Sequence, residues 1–335
     1  MAPTREHHDA VYRLTMAGWE TQVTRTLARL SVAEHLQVGP LTASEIADKL
    51  SSDPEMTYRL LRAAAALGFV VYNADTSRFA GTAMLEVLCG ESALSLKHYA
   101  QIAGSDVFWL PSRRMAETVL RGRNHSDEVL GGSPFEYFAR NEAEARVFSA
   151  AMTEISAPVI SEVIPLIDVG EARLAVDVGG ADGAFVASLL ATHEQMHGVV
   201  LDLPQVMAGV VSESRRRGLT DRMTGMQGDF FEEVPPADIY LLKFILHDWD
   251  DESCKRILSN IRAAMRPESR LFIVEMTADE GSLEAAMMDM GMLTAFTGQE
   301  RESRHLGSLV TASGLRLART CPLHRPYLML EAVSG

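Results

Sequence analysis

Positive charge is in short supply. Lys and Arg number 31 against 45 Asp and Glu, for a net charge of −14. Such a surface repels nucleic-acid phosphates and gains little from anionic lipid, so neither nucleic acid nor membrane is an expected partner. Cysteine is scarcer. Cys89, Cys254 and Cys321 lie far apart with no Cys-x-x-Cys spacing, which argues against a zinc cluster or a redox pair and for free thiols in a reducing compartment. No metal is expected. No stretch offers about 18 to 20 uninterrupted apolar residues, and residues 1–9 carry charges and two histidines where an export signal needs an apolar run. The expectation is a cytoplasmic protein. Apolar residues, in contrast, are plentiful: 47% of 335 residues are hydrophobic, enough to bury a core, and the length favours two domains.

Residues 10–37 place Val11, Leu14, Val23, Leu27, Leu30 and Val32 at helical spacing. Thr42 with Glu45 three positions on reads as a capping box that starts a helix. A second helix follows Ser51-Ser52-Asp53-Pro54, carries Tyr58, Leu60, Leu61, Ala64 and Leu67, and stops at Gly68. Phe69-Val70-Val71-Tyr72 and Arg78-Phe79 flank a polar turn and predict a hairpin. Helix, turn, helix and hairpin outline a winged helix. A DNA reader would line its second helix with bases, yet residues 51–67 hold only Arg59 and Arg62, beside Asp53 and Glu55. A packing or dimerisation unit is the better reading. Residues 94–164 read as helical, and Pro165 marks the expected boundary between domains 1–165 and 166–335. Beyond it, β-branched runs at 174–178, 199–201, 239–242, 271–274 and 327–332 alternate with helical stretches, the pattern of βα units and a parallel sheet.

The first of these runs, Leu174-Ala175-Val176-Asp177-Val178, leads into Gly179-Gly180-Ala181-Asp182-Gly183 and then a helix. Small residues there let a ligand approach the backbone at the carboxyl edge of the sheet, although close packing alone also selects glycine. Twenty-five residues after Asp177 the next run ends at Asp202, where a carboxylate can accept both hydroxyls of a ribose. A third acid, Asp229 in Gly228-Asp229-Phe230-Phe231, can accept from an exocyclic amine, with aromatic rings to wall a base. Three acids about one βα unit apart fit one extended ligand containing ribose and adenine. The spacing is not the G-x-G-x-x-G that seats a pyrophosphate, and Asp182 would repel one. S-adenosylmethionine, cationic and phosphate-free, meets the description. The run at 239–242 leads into Lys243-Phe244-Ile245-Leu246-His247-Asp248-Trp249-Asp250-Asp251. It sets a histidine just past the sheet edge as a candidate general base, while Asp250 and Asp251 suit a helix start.

Together these residues resemble the S-adenosylmethionine-dependent O-methyltransferases of the caffeic acid and hydroxyindole type, including bacterial members that decorate natural products. The resemblance spans nearly the whole chain. Its motifs are the loop at Gly179, Leu201-Asp202-Leu203-Pro204, Gly228-Asp229-Phe230-Phe231, the stretch from Lys243, Val274-Glu275 and Gly298-Gln299-Glu300-Arg301. The fold it implies is α/β: a C-terminal Rossmann-like class I methyltransferase sheet with helices on both faces, and a mainly helical, winged-helix N-terminal dimerisation domain. It implies a homodimer whose N-terminal helices help close the partner's pocket, S-adenosylmethionine as methyl donor with S-adenosylhomocysteine as product, and no metal. The cofactor residues it implies are Asp177, Gly179, Gly180, Gly183, Asp202, Leu203, Gly228, Asp229, Phe230, Lys243 and Trp249. His247 matches the base that removes the proton of an acceptor hydroxyl, Glu275 and Glu300 the carboxylates that hold its imidazole. Trp109, Met152, Met288, Asp289 and Met292 fall where the family contacts a small aromatic acceptor. Ala181 departs from the glycine of many relatives. Two further functions stay open: a relative that binds the cofactor but catalyses hydroxylation, decarboxylation or ring closure, and a winged-helix regulator that senses a metabolite. Retention of His247, Glu275 and Glu300 favours methylation of a phenolic hydroxyl.

Overall fold

The computed structural model describes residues 2–279, 281–324 and 326–335. Contacts divide the chain into two compact units with three cuts: Met1–Trp109 with Asn141–Ile155, and Leu110–Arg140 with Ser156–Gly335. The boundary expected at residue 165, where helical patterning gives way to βα units, stands as a proposal.

In the first unit a long helix, Arg5–Arg29, precedes the short helix Val32–Leu36 and two helices, Ala43–Leu50 and Pro54–Ala66. The expected capping box forms: Thr42 Oγ1 accepts from the Glu45 amide at 3.2 Å, and Glu45 Oε2 from the Thr42 amide at 2.7 Å. Asp53 Oδ1 accepts from the Met56 amide at 2.9 Å, with Pro54 in the first turn where its missing N–H costs nothing. The hairpin is β2 (Val70–Asn73) with β3 (Arg78–Gly81), and a two-residue strand, β1 (Leu41–Thr42), adds to β3 in the order β1-β3-β2. Leu27, Ile46, Leu61 and Phe79 are fully buried beneath it.

The second unit holds a seven-stranded sheet: β4 (Leu174–Val178), β5 (His197–Asp202), β6 (Met223–Gln227), β7 (Ile239–Lys243), β8 (Arg270–Met276), β9 (Leu315–Pro322) and β10 (Tyr327–Ser334). Their order is β6-β5-β4-β7-β8-β10-β9. Strands β4 to β8 pair in parallel, whereas β10 is antiparallel to both β8 and β9. Alternate residues feed two cores: Leu241 and Phe272 join Phe185 and Leu189 on one face, and Leu242 and Ile273 join Ile257 and Ile261 on the other. Burial on both faces is why these strands read as continuous apolar runs. The sequence pattern overlooks β6 and β9. Both are edge strands with mostly exposed side chains, so neither needs an apolar run.

Chain direction reverses between β4 and β7: the chain leaves β4 for β5 and β6, then returns to β7 on the other side. Loops after β4 and β7 therefore diverge around the crevice where open α/β sheets bind ligands. By length and composition the helical stretch Glu142–Leu166 could cross a membrane. Its Glu154 accepts from the amides of His98 and Tyr99, at the start of the helix Lys97–Ala103.

Candidate active site

The loop after β4 is tight because it is packed on its own protein. A Cβ at Gly179 would lie 2.6 Å from Ile245 Cδ1, one at Gly180 2.5 Å from Asp177 Cγ, and one at Gly183 2.6 Å from Val200 Cγ2. Packing thus accounts for the glycines, and the ligand argument rests on the acids. Ala181 adopts a left-handed φ of 53°, a conformation glycine takes more easily. Asp177 is buried, with Oδ2 accepting from the Val186 amide at 3.1 Å. Burial, opposed chiefly by Lys243, pushes its carboxyl up to about 7.

Asp202, at the end of β5, accepts from the Leu203 amide at 2.7 Å through Oδ1 and from the Ala181 amide at 2.8 Å through Oδ2. An ionised carboxylate has about four acceptor positions, so each oxygen keeps capacity for a further donor such as a ribose hydroxyl. Burial raises its carboxyl against the pull of those two amides. Asp229 is exposed, and its Oδ1 accepts from the Phe231 amide at 2.8 Å. Gly228 packs on Leu201. Lys243 donates to Ser156 Oγ at 2.9 Å; burial lowers its ammonium, with Asp177, Asp182 and Glu275 opposing. Trp249 meets Phe231 edge-on at 4.7 Å and Phe230 at 6.1 Å, and Phe135 stacks on it at 5.8 Å with a 14° tilt. The crevice therefore offers acceptors and aromatic walls, with Asp177, Asp182 and Asp202 around the loop. That set of acceptors and rings suits a cationic, phosphate-free adenosine ligand.

Beyond β7, residues 246–248 form a single turn of 3₁₀ helix, and Asp250 caps the next helix, Asp251–Ala264, by accepting from the Ser253 amide at 2.8 Å. The His247 imidazole is 15% exposed, and its Nδ1 lies 2.8 Å from Glu300 Oε1; its Nε2 is 3.6 Å from Asp248 Oδ1. Burial alone would favour the neutral ring. The carboxylates of Asp248, then Glu300, then Glu275 outweigh it and hold the imidazole protonated up to about 10. Burial pushes Asp248 up to about 6 and Glu275 to about 7, opposed in each case by the His247 charge. Glu275 acts on the ring as a neighbouring charge: its Oε1 accepts from the amides of Ile245 at 3.1 Å and Leu246 at 2.8 Å, and no hydrogen bond joins it to the imidazole among the described residues. Asp289 Oδ1 accepts from the Glu300 amide at 2.9 Å and so anchors the imidazole's partner. Among the described residues, no group of three or more His, Cys, Asp or Glu side chains is arranged to hold a metal ion.

Comparison with known proteins gives the family. The O-methyltransferase domain family matches residues 112–316, and the O-methyltransferase dimerisation domain matches residues 12–89. The chain belongs to the S-adenosylmethionine-dependent O-methyltransferases. Mitomycin biosynthesis 6-O-methyltransferase of Streptomyces lavendulae is 31% identical to this methyltransferase over 317 residues, 94% of this chain and 90% of the relative. The solved mitomycin 7-O-methyltransferase superposes with a TM-score of 0.91 at 30% identity, covering 98% of both chains. An O-methyltransferase of neocarzinostatin biosynthesis, solved with S-adenosylmethionine and 2-hydroxy-5-methyl naphthoic acid, superposes with a TM-score of 0.82 at 27% identity, covering 94% of this chain and 96% of its own. The methyltransferase uses S-adenosylmethionine.

Of the residues expected at the acceptor, Trp109 and Met152 belong to the first unit, and Met288, Asp289 and Met292 lie on the helix Leu283–Ala295 of the second. Met292 is buried and Met288 half-buried. Sequence reasoning overlooks Asp248, Arg301 and Phe135 as parts of this centre. Asp248 and Arg301 lie in the stretches that begin at Lys243 and Gly298, where nothing local assigns them a role. Phe135 is brought to Trp249 by tertiary packing alone, with no local pattern to announce it.

Proposed function

We propose that this methyltransferase methylates a phenolic hydroxyl of an aromatic natural product, with His247 holding the proton that the phenol gives up. The observation that carries the reading is the 2.8 Å contact of imidazole Nδ1 with Glu300 Oε1, which fixes the ring and leaves Nε2 as the proton-carrying atom. Support for the acceptor class comes from the hydroxynaphthoic acid bound to the neocarzinostatin relative and from the mitomycin enzymes.

S-adenosylmethionine, when bound, supplies a methyl carbon activated by attachment to a positively charged sulfur. The chain's own residues do the rest. Asp202 accepts the ribose hydroxyls through its remaining lone pairs, and Asp229 with Phe230 and Trp249 receives the adenine. Leu203, Gly228 and Lys243 line the same site, and the loop at Gly179, Gly180 and Gly183 holds the methionine end under the field of Asp177. A phenol titrates near 10, and so does this imidazole. The productive pair is imidazolium with phenolate, reached equally from neutral imidazole meeting phenol or imidazolium meeting phenolate. Glu300, Asp248 and Glu275 stabilise the cation in that pair. Alignment of the oxygen with the methyl carbon supplies the larger part of the acceleration.

The first helix, most of which lies in the matched dimerisation segment, exposes several apolar side chains: Val11, Tyr12, Leu14 and Trp19 are each more than 60% exposed. A homodimer that covers these side chains is part of the proposal, and light scattering at a single protomer mass contradicts it. Calorimetric titration with S-adenosylhomocysteine tests the cofactor assignments without any acceptor. Binding that Asp202→Ala weakens at least about tenfold while His247→Asn leaves it unchanged supports them. Equal affinity in Asp202→Ala removes the ribose assignment.

A further inference from the structure

The turn that carries His247 is held less by its own side chains than by a second segment, residues 297–301. Thr297 Oγ1 donates to the Asp248 carbonyl at 3.4 Å. Gly298 packs backbone to backbone on the turn, so that a Cβ there would collide with the His247 carbonyl oxygen, the Asp248 carbonyl carbon and the Trp249 amide nitrogen. Glu300 takes the imidazole. Arg301, only 2% exposed, donates Nη1 to the Leu246 carbonyl at 2.8 Å, Nη2 to the Trp249 carbonyl at 2.7 Å and Nε to Asp251 Oδ1 at 2.9 Å. The guanidinium therefore spans the two carbonyls that flank His247 and Asp248. On the other side, Glu275 Oε1 gathers the amides of Ile245 and Leu246.

We propose that residues 297–301 are the mould in which the 246–249 turn is cast, and that Gly298 and Arg301 are positioning residues for the His247 imidazole. Neither touches the ring. Gly298 sets how closely the turn approaches Glu300, because any side chain there must push apart two backbones, neither of which yields like a flexible side chain. Arg301 fixes the pitch of the turn with a planar fork of donors that an ammonium cannot reproduce. The tightness of the Nδ1 to Glu300 contact, and with it the ring's hold on its proton, follows from both. The inference builds on the reading of His247 as the proton-holding group, but its test addresses the imidazole directly.

The charged groups facing that imidazole are Asp248 on its own turn, Glu300 on the mould and Glu275 on β8. None of them is altered in the two variants used. Histidine side-chain NMR, with the His247 signal assigned by its loss in His247→Asn, follows the ring's titration in the wild type, Gly298→Ala and Arg301→Lys. Arg301→Lys keeps the charge and removes the fork. Each variant is first shown to unfold cooperatively. The expected result is a His247 midpoint lowered by at least about one pH unit in each folded variant, as the carboxylate contact loosens. If Gly298→Ala does not fold, Arg301→Lys decides alone. A midpoint within about 0.3 unit of wild type in a folded variant overturns the proposal. Failure here is distinguishable from failure of the functional reading: full turnover in His247→Asn removes the base and leaves the mould, whereas an unmoved midpoint removes the mould and leaves the base.

Discussion

Replacing Glu300 by Gln keeps an acceptor oxygen opposite imidazole Nδ1 and removes only the charge. In the wild type this contact is 2.8 Å, made by a fully buried carboxylate and an imidazole 15% exposed. Hydrogen bonds to charged partners contribute about 1.5 to 3 kcal/mol against about 1 kcal/mol for neutral ones, so Glu300→Gln removes about 0.5 to 2 kcal/mol from the imidazolium. This lowers the ring's midpoint by about one pH unit from its value of about 10. The kinetic consequence depends on the resting charge of the ring. At pH 7 both the free enzyme and the reacting pair contain imidazolium, so Glu300 stabilises them alike and kcat/KM barely changes. Near pH 10 the ring is about half protonated in the wild type but only about one-tenth protonated in the variant, so the variant's rate falls about fivefold, approaching tenfold at higher pH. The assay is the initial rate of S-adenosylhomocysteine formation between pH 6.5 and 10 with a hydroxynaphthoic acid or similar free phenol as acceptor. The reasoning fails if the loss is the same at every pH, which would mean a neutral resting ring, or if the two profiles coincide throughout.

His247 also links pH to stability. Its folded midpoint is raised above the unfolded value of about 6.5, so the stabilisation is complete below that value and is lost as pH rises through about 10. Thermal unfolding of the wild type should therefore fall more steeply between pH 7 and 10 than that of His247→Asn; parallel curves would contradict the raised midpoint. Gly183→Ala places a Cβ 2.6 Å from Val200 Cγ2 at a φ of 82°, and urea unfolding should show a loss of about 2 to 5 kcal/mol from overpacking and backbone strain; an unchanged midpoint would show that the loop is looser than described. Thr42→Ala removes the hydroxyl that accepts from the Glu45 amide, while the backbone amide at position 42 can still donate to Glu45, and it should cost about 0.5 to 2 kcal/mol, read from the same unfolding curves.

How much of this was written in the sequence depends on what each residue answers to. The Thr42 and Glu45 box, the Asp53-Pro54 start and the runs that became β4, β5, β7 and β8 were legible because local chemistry or two-sided burial fixes them. Strands β6 and β9 were not, because an edge strand is held by backbone pairing and needs little apolar side chain. The acids Asp177 and Asp202 could be placed at the ends of legible strands, and Asp229 by its spacing from them, although the strand before it, β6, was not legible. Glu275 shows where resemblance falls short. A carboxylate near the imidazole was anticipated, but its bonds to the amides of Ile245 and Leu246 follow from the register of β8 against β7 and the course of the loop beyond it. The three separate cuts between the two units likewise arise from residues 110–140, whose Asn124 and Ser126 bond the carbonyls of Phe296, Thr294 and Ala295, contacts that no local pattern announces.

The measurement that bears most directly on the central claim is methyl transfer by wild type and His247→Asn at pH 7.5 across a panel of hydroxylated aromatics, with calorimetric S-adenosylhomocysteine binding run on both. The account predicts one methyl ether formed per S-adenosylhomocysteine by the wild type. In the variant it predicts at least a roughly hundredfold slower reaction at unchanged S-adenosylhomocysteine affinity, partly recovered with more acidic phenols. Wild-type rates in His247→Asn would contradict it.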